Sequence, residues 1–210
     1  MGVVTADGLV RDFGGGRRVG PVGFAVGEGE LVVLRGGNGS GKSTVLRLVC
    51  GEEAPDEGGV AVWGRTPRRA ELWFRARVGV LDDVSAFPEL TVREHLTLVA
   101  VGHGLRDRAA ARVDWALDAC RLADHADVSP YKLSRGLRQL LGLAAVLIPE
   151  QTRLLLLDEP ERHLDARARA WLAETLTERR NSGTAVLAAT HSPELLAAAS
   201  RTVDLDPAEP

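Results

Sequence analysis

Apolar runs and glycine-rich turns alternate from the beginning of the chain. Turn-rich glycine alternating with short apolar runs, as at residues 12–16 and 22–26, predicts edge strands of a small antiparallel sheet. Residues 31–34 are Leu-Val-Val-Leu, a continuous apolar run of strand length, followed at once by Gly36, Gly37, Gly39 and Gly41. Beyond these glycines, Val45, Leu46, Leu48 and Val49 recur at helical spacing and stop near Gly51, which predicts strand, loop and helix in that order. A turn at 56–59 leads into a short strand at 60–63, and another apolar strand at 78–81 ends in Asp82 and Asp83.

The character changes near residue 90. Thr91 followed three positions later by Glu94 is the signature of a helix start in which each side chain satisfies the other's backbone amide. Residues 109–122 then carry Val113, Ala116, Leu117 and Cys120 on one helical face. After Pro130 a helix is predicted over 136–148. Leu154 to Leu157 are apolar at every position and are closed by Asp158 and Glu159, the pattern of a strand covered on both faces in a parallel sheet. A helix over 166–180, a strand over 185–189 and a last strand over 203–205 complete the pattern. Such repeated alternation of strand and helix indicates an α/β fold. The organisation expected is one domain over 1–206, with a core of 1–89 and 149–206, a helical subdomain inserted at about 90–148, and a frayed tail at 207–210.

Composition narrows the class. Of 210 residues, 45% are hydrophobic and 26% charged, and the net charge is only -3, so a packed core is affordable and self-repulsion is weak. Aromatic residues are 4%, which leaves aliphatic side chains to fill the interior. This charge balance predicts no extended nucleic-acid-binding face. Cys50 and Cys120 are the only cysteines, read as reduced thiols rather than a disulfide framework. No secretory leader is evident, and the longest apolar stretch, 140–148, is about half the ~20 residues that a spanning helix needs. Any membrane role is therefore expected to run through a partner. Lysine is rare: only Lys42 and Lys132 occur, the former inside the glycine-rich loop.

That loop carries the clearest chemistry. Gly36-Gly37-Asn38-Gly39-Ser40-Gly41-Lys42-Ser43-Thr44 matches G-x-x-x-x-G-K-[ST], between a strand and a helix as the motif requires. Glycines allow backbone N–H groups to close around phosphate oxygens, the helix start adds a favourable dipole, Lys42 reaches the terminal phosphates and Ser43 offers its hydroxyl to magnesium. Thr44 continues the helix start. Asp158 and Glu159 leave a buried strand at the edge where ligands bind in such sheets. Asp158 is expected to hold magnesium and Glu159 to polarise the attacking water. His191, just beyond the 185–189 strand, is placed to contact the terminal phosphate or to hold water and the catalytic carboxylate. These residues predict a P-loop NTPase core with a parallel-sheet centre, a small antiparallel β subdomain and an inserted helical subdomain, using ATP and Mg2+.

On these residues the chain resembles the nucleotide-binding subunit of ATP-binding-cassette (ABC) transporters across nearly its full length. The discriminating stretch is Leu133-Ser134-Arg135-Gly136-Leu137-Arg138-Gln139, which looks like that family's signature sequence. The resemblance implies that Ser134 and Gly136 contact the terminal phosphate of ATP bound to an opposite subunit, and that His191 is the family's switch histidine. It also implies that Phe13 stacks on adenine, a role that suits a flat apolar ring, with a plain core position as the alternative. Asp165, after Leu164, would be the acid of a loop crossing the dimer interface. Expected partners are a second copy or a homologous ATPase subunit and a separate transmembrane permease, seated near residues 87–98, with the chain peripheral on the cytoplasmic face of the membrane.

Two departures stand out. Where the family carries a glutamine after the 78–81 strand, this chain has Asp82 and Asp83; a carboxylate can accept from water or bind magnesium but is shorter than an amide side chain and cannot donate. The signature has Arg135 and Leu137 where a glycine and a glutamine are usual. A compact, divergent member follows. A soluble or regulatory ATPase acting as a nucleotide-dependent clamp with weak turnover is the alternative.

Overall fold

The computed structural model describes residues 2–82 and 86–205. Its centre is a five-stranded parallel sheet of β3 (Leu31–Arg35), β5 (Val78–Leu81), β6 (Leu154–Asp158), β7 (Ala185–Ala189) and β8 (Arg201–Asp204), in the order β5-β6-β7-β3-β8. A three-stranded antiparallel sheet, β2-β1-β4, is formed by β1 (Val4–Asp12), β2 (Arg18–Val26) and β4 (Glu57–Val62). Seven α-helices are found among the described residues: α1 (Lys42–Cys50), α2 (Leu72–Arg75), α3 (Val92–Gly102), α4 (Ala109–Ala119), α5 (Arg135–Leu147), α6 (Ala166–Asn181) and α7 (Pro193–Ala198).

The parallel strands divide the interior by the side-chain period of two. On one face Leu31, Val33, Leu155, Leu157, Val186 and Ala188 join a core with α3, α4, α5 and α6. On the other, Val32, Leu34, Leu154, Leu156, Ala185 and Leu187 pack with α1 and the antiparallel sheet. Covered on both sides, β6 and β7 have no room for polar positions until the strand ends. That is where the acids and His191 begin.

The central strands and the helices fall within a few residues of their expected limits. The antiparallel sheet required correction. The glycine-rich stretch 12–16 forms the turn of the hairpin joining β1 to β2 and 22–26 falls within β2, but β1 itself occupies the stretch before that turn, where no strand was expected. Strand β4 starts at Glu57, inside the stretch read as a turn, and α2 was not anticipated. Helices α3, α4 and α5 all lie between β5 and β6. Thr91 caps α3 reciprocally with Glu94, as its spacing predicts. Asp83 and the 207–210 tail lie outside the described residues.

The C-terminal end of α5 is tied on two sides. Arg112 of α4 donates to the carbonyls of Ile148 and Leu147 at 2.9 and 2.8 Å, and Arg179 of α6 donates to that of Leu147 at 2.6 Å. These carbonyls lack partners within the helix, and guanidinium groups also suit the negative end of its dipole.

Candidate functional site

Strand β3 delivers the chain into the glycine loop, and α1 begins at Lys42. Gly41 caps that helix in the left-handed region, φ 97°, and a Cβ there would lie 2.4 Å from a Val19 methyl, so both conformation and space require glycine. The Lys42 ammonium donates across the loop to the carbonyls of Gly36 and Gly37, at 2.7 and 3.0 Å, and only 7% of the residue is exposed. Inside the same loop Ser40 Oγ is buried without a partner among the described residues. An orphaned hydroxyl, a captive ammonium and the amides at a helix start are the donor set a phosphate chain satisfies.

The acidic side of the site is built on β6. Burial pushes the Asp158 carboxyl above the usual carboxylate range; hydrogen bonding to Ser43 opposes the rise, and Glu159 adds to it. A carboxylate penalised by desolvation and set against a hydroxyl is suited to a hard cation. Among the described residues no group of three or more His, Cys, Asp or Glu side chains forms a metal cluster. Magnesium is commonly held by one or two carboxylates together with substrate phosphates and water. Ser43, Asp158 and Glu159 share a cleft of about 940 Å³ with Arg69, Asp82 and Arg135.

Glu159 leaves β6 with φ 43°, a conformation uncommon for a residue with a side chain. Its amide donates to the Ala189 carbonyl at 2.8 Å, extending the β6–β7 pairing that places Asp158 opposite Ala189. Glu159 and His191 therefore emerge from neighbouring strand ends. His191 is exposed, and its amide donates to Glu161 Oε1 at 3.0 Å.

The remaining predicted residues have defined structural surroundings. Ser134 caps α5, accepting from the Leu137 amide at 3.2 Å, and Asp165 caps α6, accepting from the Ala168 amide at 2.7 Å. A Cβ on Gly136 would lie 2.8 Å from the His163 carbonyl oxygen, so α5 sits directly against the turn that follows the acids. Phe13 occupies the β1–β2 hairpin, 39% exposed, with the guanidinium groups of Arg11 and Arg17 5.5 and 5.2 Å from its ring centroid. Phe13, Ser134, Gly136, Asp165 and His191 are not among the residues that line the cleft holding Ser43 and Asp158. Asp82 does border it, but its carboxylate accepts from Arg69 at 2.7 Å, and Arg69 also pairs with Glu52.

Sequence reasoning passed over several contributors. Gln139 of α5 donates to the carbonyls of Glu159 and Pro160, at 3.2 and 3.0 Å, tying the signature helix to the acid turn; its place in the Leu133–Gln139 stretch was the available signal. Arg69 and Glu161 gave no such signal, because their partners are remote in sequence.

A family model described as "ABC transporter" matches residues 19–162. The Nod factor export ATP-binding protein I of Sinorhizobium fredii is 40% identical over 171 residues, 80% of this chain and 49% of that protein. The spermidine/putrescine import ATP-binding protein PotA of Chromobacterium violaceum is 34% identical over 170 residues, 80% of this chain and 47% of that protein. The chain thus spans about half the length of these curated relatives. A solved structure described as an ATP-binding subunit of an ABC transporter superposes with a TM-score of 0.85 at 27% identity, covering 97% of this chain and 85% of the other.

Proposed function

Because the chain belongs to the ABC transporter family, we propose that it binds and hydrolyses ATP with magnesium and powers substrate movement through a separate transmembrane partner. The observation that carries this reading is the cleft where the Lys42–Ser43 helix start, the half-buried Asp158 and the strand-end Glu159 converge.

In the proposed cycle the loop amides, Ser40 and Lys42 grip the phosphates, and the Ser43 hydroxyl and Asp158 carboxylate hold the metal. Ser43 and Asp158 would hold magnesium, which would supply positive charge to offset the charge developing on the phosphates. Glu159 takes the proton of the attacking water, and His191 stands beside it to hold the terminal phosphoryl group in line. Ser134 already accepts from a backbone amide, so its hydroxyl proton remains to donate to the terminal phosphate of a second copy. With Gly136 beside it, each subunit would complete the other's site, and loss of the phosphate would release the pair.

No helix of the described residues is long and apolar enough to cross a membrane. The proposed permease contact is the apolar surface of Phe87, Leu98 and Val101, 55%, 49% and 49% exposed, which supports a seat at the cytoplasmic face through that partner.

Glu159→Gln tests the hydrolytic role. ATP binding is expected to persist while turnover falls about 100-fold or more, and ATP-bound dimers should accumulate in sedimentation. Turnover equal to wild type would overturn the assignment. The pairing of Asp82 with Arg69 favours a second reading, a nucleotide-dependent clamp. ATP-induced dimers without steady-state hydrolysis, even with the membrane partner present, would select it.

A further inference from the structure

The loop after β7 is wired to the turn after β6 through side chains with no role in the cycle above. Thr190 Oγ1 donates to Glu161 Oε1 at 2.5 Å, and the His191 amide donates to the same oxygen at 3.0 Å. The Ser192 amide donates to Thr190 Oγ1, and Ser192 Oγ donates to Glu194 Oε2. Arg169 of α6 then donates to Glu194 Oε1 at 3.2 Å and to the Leu164 carbonyl at 3.0 Å. The Leu164 amide returns to the Glu161 carbonyl at 3.1 Å. The hydrogen bonds close into a ring.

We propose that Glu161 is a positioning residue that fixes His191 beside Glu159; the kinetic part of this proposal rests on the hydrolytic reading above. Among the described residues the exposed His191 imidazole makes no hydrogen bond, so its place is set by its backbone, whose amide is held by Glu161. Glu161 lies two residues beyond Glu159, and Asp158 pairs with Ala189 on the adjacent strand. One carboxylate oxygen thus references the histidine loop to the acid turn. Among the described residues Glu161 Oε2 is buried without a partner, an arrangement that costs free energy. A residue kept despite that cost, with its other oxygen accepting from two groups of one loop, is suited to registration. Because the ring runs through Leu164 and Arg169, it also links His191 to the loop of Leu164 and Asp165, which the family resemblance implies crosses a dimer interface.

The test combines amide exchange by NMR with steady-state kinetics on the purified chain. In Glu161→Ala, protection of the His191 amide should fall about tenfold or more. Its kcat should fall about tenfold or more, with KM for ATP within about twofold. In a His191→Ala background the same substitution should cost less than about twofold further, because the two residues act as one unit. Glu161→Gln, which keeps the accepting oxygen, should recover most of kcat. Thr190→Val, which keeps the volume and removes the hydroxyl, carries the test if Glu161→Ala does not fold. Multiplicative losses in the double variant, wild-type kcat in Glu161→Ala, a Gln variant as slow as the Ala variant, or a His191 amide unprotected in the wild type would each overturn the proposal. A wild-type chain that binds ATP without turning it over would overturn the hydrolytic reading alone, and the His191 amide would still decide whether Glu161 positions that loop.

Discussion

Lys42 is buried and shared between two carbonyls of its own loop, so its charge is already desolvated and oriented. Lys42→Ala is expected to weaken ATP binding about tenfold or more, the scale of a hydrogen bond to a charged group, as measured by calorimetric titration. Arg69 presents the opposite case. Its pairs with Glu52 and Asp82 are about one-third exposed or more, so Arg69→Met should cost less than about 1 kcal/mol in urea unfolding. The released Asp82 carboxylate would then add acceptor charge near Asp158, and the magnesium concentration needed for nucleotide binding should fall. The thiols make a pH prediction. Burial pushes Cys50 up to about 11 and Cys120 up to about 12, from an ordinary value of 9.0. Unfolded thiols ionise first, so this contribution to stability is whole below pH 9.0 and is lost as pH rises through the folded values. At pH 8 both thiols should resist an aromatic disulfide reagent until urea exposes them.

Helix α5 meets the acid turn through Gly136 and Gln139, and its first residue is capped by Ser134. A methyl at Gly136 has a backbone carbonyl 2.8 Å away, so Gly136→Ala must displace the 159–163 turn or the helix. A loss of about 1–3 kcal/mol in urea unfolding is expected. Elements with uniform chemistry were legible in the sequence. Leu154 to Leu157 needed no alternation to be assigned because both faces are covered, and the β5 and β7 limits followed from the same pattern. Strand β1 was illegible because its pairing breaks register between Ala6 and Leu9 and again between Leu9 and Arg11, which disrupts the period of two. Gly8, in the left-handed region, interrupts it further. At the site, the meeting of Ser43, Asp158 and Glu159 at one cleft could be expected from local sequence order. Glu161 could not, since its significance lies in residues about thirty positions away.

At the scale of the whole molecule, ligand binding and folding are linked. The loop closes against both sheets, through Gly41 against Val19 of β2 and through Gly36 against the Leu205 carbonyl, 2.8 Å from where a Cβ would be. A ligand that binds only this folded arrangement stabilises it by about 2.7 kcal/mol at a hundredfold excess over Kd. ATP with magnesium should therefore raise the melting temperature of the wild type, and the shift should be reduced in Lys42→Ala.

The paired guanidinium groups at the far end of α5 have a mechanical consequence. Arg112 reaches Leu147 and Ile148 from one neighbouring helix and Arg179 reaches Leu147 from another, so that end is a fulcrum. Thirteen residues of helix separate it from Ser134, a lever arm of about 20 Å. A small tilt about the arginines is magnified at the opposite tip, where the signature serine stands.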